Sequence, residues 1–211
     1  VSVAGLEQDP SRAVRLCRQA HDRLLARVQV IDDDAMRADC LLPGWSVGHL
    51  VTHLARNADA HARRIEGALA GKDTVKYAGG AVQRRAEIES GAGRQAVEII
   101  DDLRSSQGRL EGLFVAAGAV GWPNAHFLGG GSYGVGGCPA HRLREVEMHH
   151  VDLGLGYSSA DWPEEYVDWD LPVLLATVPQ RLPLLQDRRA GLAWRAGRAP
   201  LEPAPALTPW G

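Results

Sequence analysis

The stretch Arg142-Leu143-Arg144-Glu145-Val146-Glu147-Met148-His149-His150-Val151-Asp152-Leu153 holds the residues of this chain best suited to chemistry. Wound as a helix, it sets Arg142, Glu145, His149 and Asp152 along one side, at spacings of three, four and three. A carboxylate and an imidazole one turn apart suit a divalent ion, provided another element supplies a further ligand. Two acid–imidazole pairs compete here: Glu145 with His149, and Glu147 with His150. Leu143, Val146, His150, Leu153 and Tyr157 form an apolar stripe that turns His150 toward the core. Arg142, Glu145, His149 and Asp152 then make a polar line beside that stripe, which favours the first pair.

A second polar line, His49, His53 and Asn57, runs beside the apolar positions Val47, Leu50, Val51, Leu54, Ala58, Ile65 and Leu69. Taken alone, His53 reads as a hydrogen-bonded boundary residue. Set against the first line, one histidine from here plus Glu145 and His149 offers two nitrogens and one oxygen. Three protein ligands leave positions open for water or substrate, as catalytic rather than structural sites do. Asp152, one turn past His149, is placed to accept the free imidazole N–H and fix its tautomer.

The elements that must position these residues are helical. Residues 11–31 carry apolar side chains at helical spacing. Asp32-Asp33-Asp34 then reads as a solvated turn, since the glycine and distal glutamate of a calcium loop are missing. Leu41 to Ser46 forms an apolar approach and a turn, with Ser46 as N-cap of a helix over about 47–69 that Gly71 ends. A third helix is expected from about Ala81 to Ala117, with a break around Ser90–Gly93. Arg84 and Arg85 fall in its first turns, where cations oppose the helix dipole and suit an anionic ligand. The glycine-dense Leu128–Gly137 lacks the lysine and hydroxyl residue of a phosphate loop and reads as a mobile connector over a cavity. A fourth helix is expected over 139–156, weakened at its end by Gly154 and Gly156, and a fifth opens near Pro163. From Ala199 the chain is rich in proline and alanine and is expected to run along the surface. With no strand series or repeat, the order reads as a mainly α helix bundle: residues 1–160 as the metal-binding part, 161–211 as C-terminal helices and an extended tail.

Bulk properties narrow the classes. The 211 residues are 45% hydrophobic and 23% charged, ordinary for a globular protein with a real core. A net charge of −3 and a pI near 6.2 exclude the electrostatic footprint of a nucleic-acid binder or an anionic-membrane binder. No apolar run suits a membrane span and no signal-peptide pattern opens the chain. Cys17, Cys40 and Cys138 are scattered, which argues against a disulfide scaffold or a cysteine-rich zinc site. A cytoplasmic protein with reduced thiols, monomeric or homodimeric, is expected.

Two blocks of the chain resemble the mycothiol-dependent maleylpyruvate isomerases, whose metal-binding domain is a DinB-like four-helix bundle. They are Leu42-Pro43-Gly44-Trp45-Ser46 with His49 to Asn57, and Arg144 to Gly154; Tyr77 to Ile88 is a softer match. The resemblance spans roughly residues 10–180 and implies that His53, Glu145 and His149 hold Zn²⁺ or another divalent metal. Asn57 and Asp152 are then expected at the cofactor, with mycothiol as thiol co-substrate and a small electrophile as partner. Arg84, and Arg198 of the family's Ala-Gly-Arg motif, are the candidates for substrate carboxylates. The family's small C-terminal domain looks reduced here or partly absent near Asp187-Arg188. The implied reaction is cis–trans isomerisation of an unsaturated acid by thiolate addition and elimination. The same site could instead stop at the adduct, as a mycothiol S-transferase. A zinc-binding regulatory module without catalysis is the reading from a different class.

Overall fold

Four helices of fifteen residues or more build the fold, seen in a computed structural model that describes residues 5–72, 74–123 and 133–178, with Ala193 and Arg198. The glycine-dense stretch before Tyr133, the segment around Asp187–Arg188 and the tail from Ala199 lie outside the described residues. Helix α1 (Pro10–Val28) opens with Asp9 accepting from the Arg12 N–H at 3.1 Å and with Pro10 in its first turn. It buries Leu16, Cys17, Leu24 and Val28.

The aspartate triplet is not a solvated turn. Asp32 caps a short helix, α2 (Asp33–Arg37), by accepting from the Ala35 N–H at 2.9 Å. Acids in a first turn complement the helix dipole, and buried Met36 ties the segment to the core. Helix α3 (Val47–Leu69) starts at Ser46 as expected. The long third helix divides into α4 (Gly80–Ala92) and α5 (Ala96–Ala119), with the break at 93–95. There the Arg94 side chain donates to the Gly91 carbonyl, and the Gln95 N–H donates to Glu98 to begin a new helix. Helix α6 (Cys138–Asp152) stops earlier than its apolar pattern suggests, because Gly154 and Gly156 take left-handed φ values of +71° and +87°. Helix α7 (Glu164–Leu175) follows Pro163.

The long helices close a ring in which α3 packs on α5, α5 on α1, α1 on α6 and α6 on α3. Helix α4 lies against α3. Gly48 permits a close approach there: a Cβ at that position would sit 2.6 Å from the Ala92 carbonyl oxygen and 3.2 Å from that of Met36. The first turns of α3, which lead to His53, are thereby held between α2 and the end of α4. Among the described residues, no helix is long and apolar enough to cross a membrane.

Arg142 departs from the polar line in which its spacing places it. It is fully buried between α1 and α3. Its Nε donates to His21 Nε2 at 3.1 Å, and one terminal nitrogen donates to the Leu54 carbonyl and to Asn57 Oδ1, both at 2.9 Å. The packed helices enclose a position that an isolated helix would leave wet.

The chain divides into two compact units, Val1–Tyr166 and Val167–Gly211. The described part of the second holds the end of α7, with Pro172 inside the helix and Leu171 and Leu175 exposed.

Buried histidines give the first unit an acid-sensitive interior. Burial pushes His21 down to about 4, His61 well below the usual imidazole value and His141 to about 3. Unfolded imidazoles titrate near 6.5, so between that value and about 4 the unfolded chain binds more protons than the folded one. Stability of the metal-free protein is expected to fall as pH drops through this window, seen as a decreasing urea midpoint; a midpoint constant from pH 7 to pH 4.5 would contradict it.

Candidate metal centre

The turn that opens α3 decides which histidine of that helix faces α6. Ser46 Oγ accepts from the His49 N–H at 3.2 Å, and His49 Nδ1 in return accepts from the Ser46 N–H at 3.2 Å. The Ser46 hydroxyl lies 2.7 Å from the same Nδ1. His49 is thus part of the helix cap, and its Nε2 faces Glu89 at 3.4 Å. His53, one turn on, is 3% exposed and points at α6.

On α6, Glu145 and His149 stand one turn apart. Glu145 Oε2 lies 3.3 Å from His53 Nε2 and 3.7 Å from His149 Nε2. The two imidazole rings meet edge to face, with centroids 4.9 Å apart. One ligand atom from each of the three residues lies within 4.8 Å of the others. His149 Nδ1 is 2.8 Å from Asp152 Oδ2, so that nitrogen carries the proton of this hydrogen bond and Nε2 is turned toward the cluster. His53 is buried, whereas His149 and Glu145 keep 22% and 20% of their side-chain surface exposed. The donor set of two imidazole nitrogens and one carboxylate oxygen fits zinc, with one side of the site open to an incoming ligand.

Electrostatics favour the metal-binding protonation states. Burial holds His53 down at about 4, so its imidazole is neutral at pH 7. Burial pushes Glu145 the other way, but the His53 hydrogen bond and nearby positive groups, Lys76 among them, outweigh it and keep the carboxyl well below its ordinary range. With His53 neutral, its own charge does not contribute at pH 7; the donated hydrogen bond and Lys76 are the influences that persist. An ionised carboxylate beside a neutral His53 imidazole results.

Arg84, on the first turns of α4, donates to His53 Nδ1 at 3.1 Å. A guanidinium only donates, so His53 carries its proton on Nε2 in this arrangement. A metal at Nε2 needs that proton on Nδ1, which requires Arg84 to turn aside. The cation next to the cluster is therefore also one that metal binding would release. Arg85 is exposed.

Asn57 sits inside the bundle, and Arg198 belongs to the second unit. Asn57 is fully buried with its Oδ1 bound by Arg142, which places it between α3 and α6 rather than at the open side. Arg198 is exposed, in the second unit, with its N–H donating to the Ala193 carbonyl at 2.8 Å. Glu147 and His150 are occupied with other partners. Glu147 accepts from Arg23 and from the Tyr157 hydroxyl, both at 2.6 Å, and His150 stacks on Tyr157 at 3.8 Å. Two neighbours of the cluster escape sequence reasoning. The Trp45 ring stands 5.8 Å from that of His53, at 68°, and walls one side. Its place just before the N-cap was the available signal. Lys76, in the loop before α4, acts on Glu145 without any spacing pattern to mark it.

The family model of the mycothiol maleylpyruvate isomerase N-terminal domain matches residues 17–154, which include every residue of the cluster. Two solved structures are similar. One is a histidine-to-alanine mutant of the mycothiol-dependent maleylpyruvate isomerase, 23% identical with a TM-score of 0.75, covering 82% of this chain and 72% of that one. The other is the mycothiol-dependent maleylpyruvate isomerase, 25% identical with a TM-score of 0.71, covering 76% of this chain and 67% of that one. No curated protein sequence matches the chain.

Proposed function

Because the chain belongs to the mycothiol maleylpyruvate isomerase N-terminal domain family, we propose that it is a thiol-dependent metalloenzyme acting on a small unsaturated acid. The observation that carries this reading is the convergence of His53, Glu145 and His149 on one point, with Asp152 fixing His149. His53, Glu145 and His149 would hold the zinc, which would supply the Lewis acidity that makes a thiolate available at neutral pH.

The protein's own residues do the remaining work. Asp152 accepts the His149 Nδ1 proton and so orients Nε2 toward the metal position. Trp45 covers the His53 side and limits water there. Arg84, once released from His53, is placed to pair with a substrate carboxylate in two parallel hydrogen bonds. Arg198 is assigned the same task from its place in the Ala-Gly-Arg motif. In the reaction, the mycothiol thiolate adds to the conjugated double bond, and the negative charge moves onto the adjoining carbonyl. Rotation about the new single bond follows, and expulsion of the thiolate restores the double bond in the trans form. No atoms are gained or lost, and the thiol is regenerated.

The test is turnover of maleylpyruvate with and without mycothiol, by wild-type protein and by Asp152→Asn. Thiol-dependent formation of the trans isomer is expected. The variant should bind zinc about 10–100-fold more weakly in a chelator competition, as loss of an outer hydrogen-bond partner does. A stable thioether product would identify an S-transferase, and wild-type zinc affinity in Asp152→Asn would remove that residue from the site.

A further inference from the structure

The metal cluster lies where α6 meets α3; a separate pocket lies where α6 meets α1. It encloses about 360 Å³, a volume in the ~300–1,000 Å³ range of small-molecule sites. Arg23, Ala26 and Arg27 of α1 line it, with Val30 just beyond that helix and His150 and Tyr157 opposite. A buried frame holds these walls in place. Glu147, 1% exposed, accepts from Arg23 and from the Tyr157 hydroxyl, both at 2.6 Å. The Tyr157 ring lies on the His150 ring at 3.8 Å, 4° from parallel. Arg23 thus spends one terminal nitrogen on an acid. Its Nε and the His150 Nε2 are buried with no hydrogen-bond partner among the described residues. Such orphans are rare, because each costs desolvation free energy.

The charges around the pocket do not cancel. Arg23 and Arg27 against Glu147 leave one positive charge in excess, and none of the lining residues is an acid. Asp161, whose carbonyl also receives the Tyr157 hydroxyl at 3.1 Å, has its carboxylate turned to the Ser158 N–H and hydroxyl at 2.8 and 2.9 Å. Arg27 is exposed, and beside it stand Ala26, the Tyr157 ring and Val30, whose side chain is left largely in water.

We propose that this pocket binds a small aromatic monoanion, at a site separate from the metal cluster and independent of whether that cluster holds an ion. The anionic group pairs with Arg27 and with the unused donors of Arg23, since a guanidinium offers an oxyanion paired hydrogen bonds. The buried edge of His150 supplies a further donor. The aromatic body covers Ala26 and Val30 and packs against Tyr157. One negative charge matches the one positive charge in excess, whereas a neutral ring would leave Arg27 unanswered.

The experiment titrates the protein calorimetrically with benzenesulfonate, with uncharged methyl phenyl sulfone and with methanesulfonate, which lacks the ring. Wild type, Arg27→Gln, Val30→Glu and His53→Ala are compared, each checked by helical circular dichroism. Arg27 and Val30 are exposed, so neither substitution threatens the core. Benzenesulfonate is expected to bind wild type saturably and to weaken roughly tenfold or more in Arg27→Gln and in Val30→Glu, the effect of one lost or opposed charge-assisted contact. The sulfone and methanesulfonate should bind wild type more weakly by a similar factor, and His53→Ala should bind benzenesulfonate as wild type does. Four results would overturn the proposal: no saturable binding to wild type, sulfone binding as tight as benzenesulfonate, methanesulfonate binding as tight, or unchanged affinity in Arg27→Gln, which would leave that cation serving only the end of α1. Loss of binding in His53→Ala would overturn it as well, by moving the ligand to the metal cluster.

Discussion

Replacing His53 with alanine is expected to strip the protein of zinc and of thiol-dependent turnover while leaving the fold intact. His53 is the α3 contribution to a cluster otherwise drawn from α6 alone, so its loss leaves Glu145 and His149 as a two-ligand remnant. Losing an outer hydrogen-bond partner costs ~10–100-fold in metal affinity, and losing a ligand should exceed that range. Without the ion, a thiol of ordinary pKa ~8.5 is only about 3% thiolate at pH 7, which costs about 30-fold in rate before lost positioning is counted. Zinc per protein after desalting, helical circular dichroism and turnover on the same sample check this. Zinc content equal to wild type, in this variant and in Glu145→Ala, would show that the three residues are not the metal site.

Replacing Arg142 with alanine is expected to do the reverse, lowering stability sharply. The guanidinium is fully buried and joins α6 to α1 through His21 and to α3 through Leu54 and Asn57. Alanine would leave His21 Nε2, Asn57 Oδ1 and the Leu54 carbonyl without that donor and would open a cavity between helices. Breaking a buried polar network of this kind costs ~3–5 kcal/mol. For a domain of this size that corresponds to a melting temperature lower by on the order of 10 °C. Arg142→Met, which fills the volume but does not restore the hydrogen bonds, should recover only part of the loss. A melting temperature within a degree or two of wild type for Arg142→Ala would show that water satisfies the network equally well.

The contrast between these two residues shows how far local spacing reaches. Both are legible as members of polar lines at helical spacing, yet one belongs to the cluster and the other to the interior. Periodicity within α6 places Arg142 and Glu145 on the same side. It does not say that α1 and α3 close over the earlier turn and leave the later one half open. The aspartate triplet fails for a related reason: its acids read as a polar turn until Met36 and the Ala96 N–H give the segment something to pack and bond against.

What the residues by themselves determined is the helical order, the Ser46 cap, the exclusion of His150 from the wet face and the grouping of Glu145, His149 and Asp152. All of these depend on contacts within one helix or one turn, where the 3.6-residue repeat fixes geometry. Spacing alone left His49 and His53 open and the family resemblance pointed to His53; the tertiary structure supplies the physical reason, a capping box that uses up His49 and the place where α3 meets α6. It also decided that Arg142 is interior, that Arg84 reaches His53, and that Lys76 lies near Glu145. Those relations join residues dozens of positions apart, and packing alone brings them together.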